Sequence, residues 1–171
     1  MVSVRLRDVS IGLPLLALYA CAQAPDSTGP RFEYVHVKGH DPSMNMPYTP
    51  AIKVHAGKTV YLSGVTAAPV YHHHPHIAAE FDNIPADAGA QAEMTMENLR
   101  MVLAAAGGDL TDIVRVTRFM VDQARNQDAI NAVMGRYFGA HRPASTSVEI
   151  ARLATDPRLV LEVEAVAVVA E

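Results

Sequence analysis

Apolar and polar residues alternate with a period of two in FEYVHV, residues 32–37, which predicts a first strand. Gly and Pro break it in GHDPSMNMPYTP, and AIKVHAGKTVYLSG (51–64) then reads as a hairpin. In it Ile52 and Val54 alternate, Ala56-Gly57-Lys58 turns, and Val60 and Leu62 resume the alternation up to Gly64. Residues 65–86 carry Pro69, Pro75 and Pro85 with no sustained period, so they form a long loop, and long loops in compact domains are often functional. From Asp87 to Ala106 the period lengthens: Ala92, Met96, Leu99 and Leu103 fall at i, i+4, i+7 and i+11, one face of a helix that Gly107-Gly108 stops. DIVRVTRFMVD (112–122) returns to strand. NQDAINAVMGRYFGAH (126–141) sets Ile130, Val133, Met134, Tyr137 and Phe138 at helical spacing, with Asn126 or Gln127 near the start and Gly139 near the end. STSVEIARL (145–153) and LVLEVEAVAVV (159–169) are the last two strands, joined by ATDP.

The order βββ-α-β-α-ββ predicts an α+β domain with two helices on one face of a mostly antiparallel or mixed sheet. The last strand adds a constraint. Leu161, Val163, Ala165 and Ala167 share one parity, Val160, Glu162, Glu164 and Val166 the other, and both sides end apolar. A sheet with one wet face does not need that pattern, so the second face is expected to pack on other subunits.

Composition narrows the class. With 171 residues, half of them hydrophobic and 19 % charged, the chain suits one ordered domain. Net charge is -4 and no basic stripe or tryptophan appears, so nothing supports nucleic-acid binding. The first residues differ from the rest: Arg5 and Arg7 precede the short apolar run IGLPLLALYA and then Cys21, the single cysteine. Ten apolar residues are too few for a membrane-spanning helix. Residues 1–21 are therefore expected to be an export signal, with LYAC similar to a lipoprotein box that would lipidate Cys21. Tyr19 and Asp8 depart from that pattern, and the competing reading is a misassigned start or a core segment. On the preferred reading the protein is periplasmic or lipid-anchored; on the other it is cytoplasmic. Residues 22–31 read as a Pro/Ser/Gly linker and 32–171 as the domain.

SGVTA after the hairpin, PADAGAQAEMTMENLRMVLAAAGGDLTDIVRVTRFMVD, and RPASTSVEIARL with VLEVEAVAV resemble the RidA/YjgF family of reactive-intermediate deaminases, in family order over residues 32–169. The resemblance implies a chorismate-mutase-like homotrimer with clefts between neighbouring subunits. It implies hydrolysis of an enamine or imine to a ketone and ammonia, without metal or organic cofactor.

Site residues follow from the same resemblance. Glu162 matches the first glutamate of the family's E-x-E and would orient or relay a proton to water; Glu164 is its competitor, and an intersubunit ion pair is the alternative role. Gly64 would bring a backbone carbonyl close to the substrate, Ser147 a backbone N–H, and Tyr48 of MPY would edge the cleft, with Met46 replacing the family's glycine. Ser145 stands where deaminase-active members carry an arginine that grips a carboxylate. Ser145, Thr146 and Ser147 would then shape a cleft suited to an uncharged or differently placed polar substrate. Arg142 lies close enough in sequence to be weighed as a substitute cation, whereas Arg152 reads as solvent-facing.

YHHHPH, with Glu80 and Asp82 beyond it, offers zinc, copper or nickel ligands by type. Successive residues of an extended loop point apart, so a polar loop or a cleft-edge role, with His74 at the substrate, is preferred to a metal. The enzyme reading competes with a trimeric module that binds a small ligand, or chaperones clients, without turnover. A histidine-loop metalloenzyme is the third reading.

Overall fold

The computed structural model describes residues 29–170. The expected signal segment 1–21, Cys21 within it and most of the linker lie outside the described residues. The elements are β1 (Phe32–Val35), β2 (Ala51–Val54), β3 (Lys58–Val65), α1 (Ala88–Ala105), β4 (Ile113–Met120), α2 (Gln123–Phe138), β5 (Ala144–Glu149) and β6 (Leu161–Val169), in the order the periodicity predicts. None of the described helices is long and apolar enough to cross a membrane.

The strands divide into two sheets. β1 and β2 form an antiparallel ribbon, and β3-β6-β4-β5 form a mixed sheet in which only β4 and β5 run parallel. This corrects the hairpin expected over 51–64. β2 and β3 are joined by a tight turn at Gly57, whose φ of +99° favours glycine, yet each pairs elsewhere. β3 has eight residues and finds a nine-residue partner in β6, a longer ladder than the four residues of β2 offer. The ribbon is held by Arg31. Its carbonyl accepts the His55 N–H at 2.8 Å, and its guanidinium pairs with Asp112 and donates to the Val168 carbonyl at 2.6 Å.

α1 forms where the sequence places it. The Asp87 side chain caps it by accepting the Ala90 N–H at 2.8 Å, and Gly107 at φ +78° lies just past its end. Ala92, Met96, Leu99 and Leu103 are each 0 % exposed and belong to one core with Leu161, Val163, Ala165 and Ala167 of β6. Leu103→Ala is expected to cost about 2–5 kcal/mol of folding stability, the range for a cavity opened in a packed core. The check is a denaturant midpoint shift at unchanged slope.

α2 starts three residues before Asn126. Its first N–H, on Gln123, is taken by the Glu149 carboxylate at the end of β5, 3.1 Å away. Asn126 sits inside the first turn and donates to the Val121 carbonyl at 2.8 Å. The cap comes from another strand, so the local sequence does not announce it.

The second face of the mixed sheet carries Tyr61, Thr117, Phe119, Thr146, Val148, Glu162, Glu164 and Val166 by register. Loops 66–86 and 150–160 cover one end of it, packing Phe81, Ile84, Leu153 and Leu159 near Phe119. The rest is open, with Tyr61 81 % exposed.

Candidate active site

β3 and β6 slip in register between Leu62 and Val65, so Ser63 and Gly64 bulge at the sheet edge. The bulge brings Gly64 beside Glu162. A Cβ built on Gly64 would lie 2.7 Å from Glu162 Cδ and 2.9 Å from its Cγ, so the glutamate stem occupies space that only glycine leaves free. Both residues line a cavity of about 600 Å³ with Tyr61, Ser63, Thr66 and His72. Its far wall is braced by Asn98 of α1, whose side-chain amide donates to the carbonyls of Thr66 and Ala68, each at 2.8 Å. Asn98 has no particular signal in the sequence, because its partners are two backbone oxygens of a loop.

Burial pushes the Glu162 carboxyl above the usual carboxylate range, and the charge of Glu164 adds to the rise. The fold therefore disfavours the ionised form relative to a carboxyl in water. Stability from this group is fully present at low pH and is lost as pH rises through the raised pKa. Glu162→Gln, which carries no charge at any pH, is expected to raise the denaturant midpoint at pH 7 relative to wild type. The gain should shrink as pH falls toward about 4, where an unfolded glutamate also protonates.

The three hydroxyls of β5 do not act as one row. Ser145 pairs in register with Val116 and Ser147 with Arg118, on the face toward the helices, whereas Thr146 pairs with Thr117 on the open face. Strand alternation makes the split unavoidable. Ser147 accepts a hydrogen bond from Arg118 at 2.6 Å, and the same guanidinium donates to Asn131 Oδ1 of α2. Arg118 Nε is buried without a partner, and among the described residues no carboxylate pairs with this guanidinium. Burial lowers its pKa.

Arg118 and Ser145 line a cavity of about 210 Å³ with Tyr48, Asn131, Phe138 and Arg142. Arg142 is fixed against backbone carbonyls, among them those of Met46 at 3.2 Å and His141 at 3.0 Å, and so ties the loop bearing Tyr48 to the end of α2. Tyr48, Ser145 and Thr146 line a further cavity of about 510 Å³ with Arg115. Arg118, supplied from β4, thus shares a cavity with Ser145, where only Arg142 and Arg152 were weighed as cations. Its signal in the sequence was a charge on the parity of Val116 and Met120, in a strand whose other members of that parity are buried.

On one chain, then, the expected site residues fall into separate groups. Glu162 and Gly64 lie at the β3 edge, whereas Tyr48, Ser145 and Thr146 lie at the β5 edge. His74 does not line the Glu162 cavity; His72 does. The histidine loop bends at His74 and Pro75 and does not run extended. His73 turns to Glu80, Nδ1 to Oε1 at 2.6 Å, while ligand atoms of His72, His74 and His76 all lie within 4.8 Å of one another.

Two helices on one face of a four-stranded mixed sheet, with a partly desolvated glutamate at a bulged edge, define the class: an α+β protein of chorismate-mutase-like fold with a small-molecule-sized cavity. Within it the chain belongs to the family described as Endoribonuclease L-PSP, whose model matches residues 38–169, the RidA/YjgF family. Protein DfrA of Myxococcus xanthus is 38 % identical over 122 residues, covering 71 % of this chain and 85 % of that protein. The 2-iminobutanoate/2-iminopropanoate deaminase of Escherichia coli is 38 % identical over 88 residues, covering 50 % of this chain and 66 % of that protein. The solved structure of YyfB, a Rid-family protein of unknown function from Yersinia pestis, superposes with a TM-score of 0.67 at 25 % identity, covering 82 % of this chain and all of that one.

Proposed function

We propose that the protein hydrolyses imines or enamines of small 2-amino-acid-derived molecules to ketones and ammonia. The observation that carries the reading is Glu162, a carboxylate held across Gly64 in a cavity, where burial raises its pKa. Such a group exchanges a proton with water or with a developing amine more readily near neutral pH than an ordinary carboxylate does. Glu162 would hold the attacking water and pass a proton to the departing nitrogen.

The working site is completed by assembly. Tyr48, Ser145 and Thr146 at the β5 edge of one chain would meet Glu162 and Gly64 at the β3 edge of the next, in a trimer. The open sheet face, with Tyr61 and Val148 exposed, supports such packing. Arg118 supports an anionic group on the substrate rather than an uncharged one, because a guanidinium with no carboxylate partner is available beside Ser145.

The test is ammonia release from a panel of imines generated in solution, some bearing a carboxylate and some neutral. Release above the buffer rate for the carboxylate-bearing members supports the hydrolase. Release at the buffer rate for every member overturns it in favour of a binding module without turnover.

A further inference from the structure

We propose that His72, His74 and His76 form a binding site for one divalent transition-metal ion of the zinc, nickel or copper type per chain. The three lie on the loop after β3, which bends at His74 and Pro75. The bend folds His76 back beside His72, with ring centroids 4.9 Å apart, where four residues of extended backbone would separate them by about 13 Å. His73 is held apart from them by Glu80, through its backbone N–H at 2.9 Å and its ring at 2.6 Å. The remaining three rings make a nearly equilateral triangle, with centroids 4.8, 4.9 and 4.7 Å apart.

Two features mark this triangle as prearranged. His72 Nδ1 lies 3.0 Å from the Pro69 carbonyl, so that nitrogen carries the proton and Nε2 keeps its lone pair for an ion. Phe81, 2 % exposed, packs its ring against His72 and His76 at 5.2 and 5.3 Å and sets both from beneath. Neutral imidazoles suit zinc, nickel and copper, and three of them leave a tetrahedral ion one open position. Zinc–nitrogen bonds of about 2.0–2.1 Å put ligand nitrogens ~3.3 Å apart. The present spread of 4.8 Å closes to that by rotation of His74 and His76, both exposed. His72 lines the Glu162 cavity, so the ion would sit at its rim. The proposal stands apart from the hydrolase reading, since it concerns occupancy and not turnover.

The experiment uses the full chain, stripped with chelator and titrated with Zn²⁺ by calorimetry and with Co²⁺ by visible absorption. The expected result is one ion per chain and an intense tetrahedral Co²⁺ band. His72→Ala, His74→Ala and His76→Ala should each weaken Zn²⁺ binding by about tenfold or more, and His73→Ala should not. Circular dichroism of each variant checks that the fold persists. No saturable binding, no tetrahedral band, or a loss in His73→Ala equal to the other three overturns the proposal, because an unstructured histidine run would treat all four alike.

Discussion

Glu162→Gln is expected to lower the rate of imine hydrolysis by about 10²- to 10⁴-fold while the fold and the assembly persist, the usual range for removing a positioned acid–base group. Glutamine keeps the shape of the side chain across Gly64 but neither takes up nor releases a proton. Ammonia release at saturating substrate measures the effect, and a loss below tenfold would reassign Glu162 to a structural role. Gly64→Ala should reach a comparable loss by a different route. Its methyl group would stand 2.7 Å from Glu162 Cδ and drive the carboxylate out of place. Displacement by about 1 Å at a reacting centre costs on the order of 10²-fold. Because both changes disable one group, the double variant should be no worse than Glu162→Gln alone. Multiplied losses would show that Gly64 contributes independently.

Arg118→Met is expected to lower kcat/KM about 10- to 100-fold for imines that carry a carboxylate and to leave neutral imines nearly unaffected. A charge-assisted hydrogen bond contributes about 1.5–3 kcal/mol, and each 1.4 kcal/mol is tenfold. Methionine keeps much of the stem and removes the charge. The same change should raise the unfolding midpoint, because it removes a desolvated cation that no described carboxylate neutralises. Equal losses on both substrate classes would show that Arg118 shapes the sheet–helix layer and does not read the substrate.

The architecture was legible because its causes are local. The four-spaced apolar face of α1, its Asp87 cap and its Gly107 stop are all written within twenty-odd consecutive residues, and the helix forms between them. The two-sided apolar pattern of β6 was read as a face packed on other subunits; within one chain β6 lies between β3 and β4. The misread hairpin had a non-local cause: adjacency along the chain favoured β2 with β3, whereas ladder length favoured β3 with β6. The start of α2 moved for a similar reason, since its cap is Glu149 on another strand.

At the site, side-chain types were readable and their grouping was not. Glu162 was identified from its motif, yet the bulge that sets it against Gly64 exists only in the pairing of β3 with β6. The hydroxyl row of β5 looked continuous in one dimension, and the pleat divided it between two faces. Arg118 was visible only as a charge among buried neighbours until Ser147 and Asn131 converged on it.

Sequence alone determined which segments become helix and strand, their order, and the family, because periodicity, caps and glycine stops act over a few residues. Tertiary structure decided what those segments bring together: a guanidinium at Ser147, a glutamate at Gly64, three histidines in a triangle. Contacts between residues far apart in the chain depend on strand register and loop closure, and neither has a signature in any one stretch of residues.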